Sequence, residues 1–175
     1  MAFIIVILFV IVAVIVLGKT PVTIKNNWQT FVDGFSVSAS EFYDVVKAGL
    51  QERQITHVDV AQESFLEKHI FSAQRMYLRV IQDEYVFYIC AAPYGTGTFF
   101  SSWLCIKDEK FINKIPVLSK LMGKDRNNKT FYQMDTEGMF RSSVHTTVIE
   151  AVNSLTEAKG KRGLTELERQ FKDFR

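Results

Sequence analysis

From Phe3 to Leu17 the chain is apolar without interruption, and its first charged side chain is Lys19. The run carries no acid, base, amide or hydroxyl, so it has no polar face to turn to water. As a helix, about 18 residues at ~1.5 Å each reach roughly 27 Å, close to the ~30 Å of a bilayer's hydrocarbon. Lys19 can snorkel to cover the shortfall. A cleaved secretory signal normally has a basic start and a small-residue cleavage site. Neither is present around Val16-Leu17-Gly18-Lys19, so the sequence predicts a retained transmembrane anchor over residues 1–18. With Gly18 its sole glycine, the run lacks the small-xxx-small spacing that packs helices tightly inside bilayers.

Lys19 and Lys25 follow the run, which by the positive-inside tendency places the rest of the chain in the cytoplasm. Cys90 and Cys105, the only cysteines, sit in apolar strand-like segments and read as buried thiols, with pairing left open for an oxidising compartment. About 155 of the 175 residues follow the anchor, enough for one domain with a real core. A net charge of +2 gives no global electrostatic case for nucleic acid, and none is expected as a partner. Fifteen Phe, six Tyr and two Trp point to a generous core, or to apolar surface facing lipid or partner subunits.

Residues 19–37 read as a polar connector. Ser38-Ala39-Ser40-Glu41 then has the form of a capping box, and Phe42, Val45, Val46 and Leu50 share one face of a helix over 39–53. Period-two alternation follows at His57–Ala61 and at Arg75–Val80, with Asp83-Glu84 as a turn. Tyr85–Ala92 and Thr98–Ile106 are apolar on both faces, which predicts central strands joined by a hairpin at Pro93–Gly97. A short strand is expected at Thr130–Met134, and a long helix over Glu137–Ala158. A second box, Thr165 to Glu168, opens a tail expected to form an amphipathic docking helix over 161–175. The fold class is therefore α+β: an antiparallel sheet of four to five strands packed by two or more helices, helix-grip-like if the long helix crosses a curved sheet. The soluble domain spans 38–160.

Residues 107–129 interrupt the sheet pattern with seven basic residues against three acids, interleaved with an apolar stripe. Such a segment suits anionic headgroups, and Lys110, Lys114, Ile115, Leu118, Lys120, Leu121 and Lys124 join Lys19 as candidate membrane-surface residues. The other reading is an ordinary excursion whose lysines are solvated.

The segments FSAQRMYLRV (71–80), YICAAPYGTGTFFSSWL (88–104) and DTEGMFRSSVHTTVIEAVNSLTEAKG (135–160) resemble an uncharacterised family of bacterial membrane-associated proteins. That family shares a Tyr-Leu-Arg-Val strand, a Cys-Ala-Ala-Pro-x-Gly-Thr-Gly hairpin and a Met-Phe…Val-His helix. The resemblance implies a bacterial inner-membrane location and brings no activity or catalytic residue. In the family, the stretch matching 107–123 is more apolar than here.

For chemistry the residues offer little. Pro93–Thr98 lacks the helix and the Gly-Lys-Ser/Thr ending of a phosphate cradle. His57, His69 and His145 have no ligand spacing with one another, so no metal or other cofactor is expected. Asp59, Glu63 and Glu67 show no acid–base pairing. Arg75 and Arg79 flank Tyr77 on one strand face, roughly 13 Å apart by strand rise. With Trp103 they form the candidate ligand- or partner-binding set, the other reading being a solvated face salt-bridged to Glu67, Asp83 or Glu84. Two functions follow as expectations. One is a non-enzymatic scaffold subunit of a membrane assembly, self-associating or docking a partner. The other is a tethered lipid- or ligand-binding domain, with enzymatic activity left open and a pocket between the long helix and the sheet lined by Phe87, Phe99, Trp103 and Tyr132.

Overall fold

The computed structural model describes residues 22–66, 74–107, 130–170 and 172–173. Nearly all of these belong to the larger of two units, residues 24–106 with 125–175. The anchor run, and the candidates Lys19, Lys110, Lys114, Ile115, Leu118, Lys120, Leu121 and Lys124, lie outside the described residues. Among the described residues, no helix is long and apolar enough to cross a membrane.

The protein is α+β. Strand β1 (Val22–Val32) leads into helix α1 (Ala39–Glu52), followed by β2 (Asp59–Leu66), β3 (Gln74–Gln82), β4 (Tyr85–Tyr94) and β5 (Gly97–Lys107). Helix α2 (Phe131–Ala158), a 3-10 turn (Leu167–Arg169) and the two-residue strand β6 (Lys172–Asp173) complete the order. Five antiparallel strands, with β6 added at one edge, run β2-β3-β4-β5-β1-β6. As their apolar runs predict, β4 and β5 lie in the middle, and most of their residues on both faces are buried.

Register assigns every side chain to a face. Leu78 stands opposite Ile89, Val80 opposite Phe87, and Phe87 opposite Leu104, so these residues share one face. Both helices pack there: Phe42 of α1 meets Phe100 at 5.0 Å between ring centroids, and Phe140 of α2 meets Phe87 at 5.7 Å. The helix stripes are those the 3.6-residue period demands, Phe42, Val46 and Leu50 on α1, and Phe140, Val144, Val148, Ala151, Val152 and Leu155 on α2. The helices touch closely at Gly49, where a Cβ would come within 2.8 Å of Thr147 Cγ2. Arg53 fastens the end of α1 to α2 by donating to Thr147 Oγ1 and pairing with Glu150.

Turn chemistry follows the expected residues. Ser38 accepts from the Glu41 amide at 3.1 Å and caps α1. The β4–β5 hairpin turns at Gly95 and Thr96, with Gly95 at φ +56°. Gly97 answers a different need, since a Cβ there would lie 2.3 Å from the Val32 carbonyl oxygen.

Three expectations are corrected. Residues 22–32 of the supposed connector are strand β1, where Asn26 and Asn27 are buried despite their amides and Trp28 is 1% exposed. Thr130–Met134 is not a strand. Thr130 caps α2 by accepting from the Gln133 amide, and the Gln133 side chain accepts from the Thr130 amide, so the helix starts there. Among the described residues, the tail does not form a docking helix. Its capping box is made, with Thr165 and Glu168 bonded reciprocally. The Glu168 and Arg169 carbonyls, which a continuing helix would keep, instead bond Trp28 Nε1 at 2.6 Å and His145 Nε2 at 2.7 Å. The turn ends there, and Lys172 and Asp173 pair with Asn27 and Asn26 of β1.

Candidate functional site

The face of the sheet opposite the helices gathers the predicted binding residues. Arg75, Tyr77 and Arg79 occupy alternate positions of β3, so all three emerge on that face. Arg79 stands opposite Tyr88 of β4, and Tyr88 opposite Trp103 of β5, which aligns Arg79, Tyr88 and Trp103 across three strands. Across β2, Ala61 lies opposite Arg79, Glu63 opposite Tyr77 and Phe65 opposite Arg75. The sequence set of Arg75, Tyr77, Arg79 and Trp103 therefore shares one surface. Phe65, Tyr88 and Glu63 belong to it too and were not anticipated, because only strand register reveals them.

The aromatic members interlock. Phe65, Tyr77 and Tyr88 stand edge-to-face in pairs, with centroids 5.4, 5.1 and 6.5 Å apart. This geometry sets the positive rim of one ring against the π-face of the next. Phe65 remains 40% exposed, so the cluster is a partly open platform rather than core. Burial raises the Tyr88 hydroxyl's pKa, and the neighbouring Glu63 carboxylate adds to the shift. The phenol is therefore a neutral donor at physiological pH.

The two arginines differ. Arg79 reaches Glu63 at 3.2 Å and Asp59 at 3.3 Å, which ties β3 to the edge strand. Its partners come from β2 rather than from Asp83 or Glu84, the acids nearby in sequence. Arg75 is exposed at the rim of the aromatic platform, close enough to Cys90 for its charge to favour the thiolate. Burial outweighs that influence and leaves the Cys90 pKa raised.

Between Arg75 and Cys90 the sheet opens. The β3–β4 ladder stops at Leu78 and Ile89. Beyond it, Tyr43 of α1 reaches in from the core and donates to the Met76 carbonyl at 2.7 Å. The phenol thus serves an acceptor that the ladder leaves unpaired. Burial chiefly raises its pKa, keeping it protonated.

The pocket set does not converge. Phe87 is fully buried against Phe140 on the helix side, whereas Phe99 and Trp103 belong to the opposite face and Tyr132 is 79% exposed at the start of α2. A cleft of about 310 Å³ opens elsewhere, where Leu50 and Gln54 at the end of α1 meet Val58 and Val60. His145 serves the tail latch, edge-on to Trp28 at 6.1 Å, and burial lowers its pKa. Among the described residues, no three His, Cys, Asp or Glu side chains gather as metal ligands. Compared with protein-family models, curated proteins and solved structures, the chain matches none.

Proposed function

We propose that the chain is a non-enzymatic, single-pass, membrane-anchored interaction subunit of a bacterial inner-membrane assembly, with its α+β domain in the cytoplasm. The observation that carries this reading is the platform of Phe65, Tyr77 and Tyr88 with Arg75 at its rim, on the sheet face opposite the helices. Half-exposed aromatics beside an arginine are the residue types that dominate protein recognition sites, because they bury much area at little entropic cost. The anchor run at residues 3–17, the lysines after it and the resemblance to membrane-associated proteins support the location. The partner is a second copy of the chain or another subunit of the assembly.

Full-length protein carrying a photo-crosslinking amino acid at Tyr77 tests this in membranes, together with its native mass in detergent. The expected result is a discrete adduct and a mass above that of one chain. A strict monomer with neither adduct nor co-purifying protein overturns the proposal. A retained lipid at one copy per chain would instead favour the tethered lipid-binding reading.

A further inference from the structure

The first nine residues of α2 bury no side chain of their own, and Glu137 reaches the core by accepting from the Tyr85 hydroxyl. From Phe131 to Met139 none is buried, and burial begins at Phe140. At ~1.5 Å per residue this overhang is roughly 13 Å long. It nevertheless carries Phe131 at 83% exposure, Tyr132 at 79%, Met139 at 61% and Met134 at 48%. At about 100° per residue these four fall within an arc of about 160°, on the side away from Phe140, Val144 and Val148. Single exposed apolar residues are ordinary, but four on one face of a short overhang are a patch.

We infer that this overhang is a membrane-contact element whose apolar arc enters the interface of an anionic bilayer. Two observations choose lipid over protein as the occupant. The sequence before α2 carries seven basic residues against three acids over residues 107–129, a composition that complements acidic headgroups. The arc pairs Phe131 and Tyr132 with two flexible methionines, bulky side chains of the kind that settle at the headgroup boundary. Asp135 lies inside the same arc, exposed, and its charge opposes contact with anionic lipid. The inference rests on the membrane-anchored reading above and adds a second point of attachment, which would fix how the domain is turned toward the bilayer.

The test uses the full chain in vesicles of phosphatidylcholine, with and without phosphatidylglycerol. Fluorescent probes are placed singly by Tyr132→Cys and Met139→Cys on the arc, and by Gln133→Cys opposite it. Cys90 and Cys105 are buried and stay unlabelled. In anionic vesicles the probes at 132 and 139 are expected to be quenched by lipid-borne nitroxide severalfold more than the one at 133. The difference should shrink without phosphatidylglycerol and grow with Asp135→Asn. Equal exposure of all three to an aqueous quencher overturns the inference. So does shielding of 132 and 139 without lipid quenching, the mark of a protein cover. An alkaline wash of the same vesicles reports the anchor separately. Release of the chain overturns the anchored reading, whereas a retained chain with aqueous probes overturns the α2 contact alone.

Discussion

Tyr43 concentrates at one side chain a task that strands normally share. Its hydroxyl fills the gap between β3 and β4 by donating to the Met76 carbonyl. Tyr43→Phe keeps the ring and removes that bond, leaving a part-buried acceptor without its partner. Each such loss costs ~1–3 kcal/mol, so a destabilisation of about 2 kcal/mol is expected in chemical denaturation, with the far-ultraviolet spectrum unchanged. Unaltered stability would show that water replaces the phenol there. This role could not be read from the sequence, where Tyr43 is simply the neighbour of Phe42 on an amphipathic helix. The face that Arg75, Tyr77 and Arg79 share was legible, because strand alternation is local. The acids that hold Arg79 were not, since Asp59 and Glu63 meet it only through the pairing of β2 with β3.

At the scale of elements, the tail shows how tertiary partners override a correct local signal. Thr165 and Glu168 form their capping box, and Arg162 with Thr165 holds the Glu168 pKa down to about 2. Trp28 and His145 then capture the carbonyls a longer helix would need. The reverse occurred at Thr130, where β-branched and aromatic residues suggested a strand and the Thr-x-x-Gln cap decided for helix. Folding is pH-sensitive through His145, whose pKa is lowered from 6.5, first by burial and also by the nearby Arg141 charge, while the Arg169 carbonyl of the tail acts the other way. Below 6.5 the unfolded chain therefore binds more protons at His145 than the folded one, so folding weakens as pH falls toward the lowered value and is constant above 6.5 for this group. Glu168 acts in a lower window, below its ordinary 4.5, so the two are separable. The unfolding free energy measured in denaturant is expected to fall between pH 6.5 and 4.5. His145→Gln, which retains a donor for the Arg169 carbonyl, should flatten that slope; a slope that persists would assign the sensitivity to another group.

For the molecule as a whole, Cys90 and Cys105 report whether the sheet opens in one step. Both are buried on the face opposite the helices, and burial pushes the Cys105 thiol up to about 11 and raises Cys90 as well. Neither forms much thiolate near neutral pH, and thiolate is the reactive species. They do not pair with each other either. Cys90 lies opposite Ser101 and Cys105 opposite Val86, a four-residue offset that is roughly 13 Å along the strands, twice the Cα separation a disulfide spans. Sequence reading left that pairing open because it turns on register, which the Gly95-Thr96 turn sets at the far end of the hairpin. A thiol reagent should therefore label both cysteines only through unfolding, at equal rates that track global stability in denaturant. Mild oxidant should leave the native chain without an internal disulfide. Faster labelling of Cys90 alone would show the β3–β4 gap opening locally beside Arg75. Tyr43→Phe should then accelerate Cys90 and leave Cys105, whose ladder partner Val86 lies away from the gap, at the global rate.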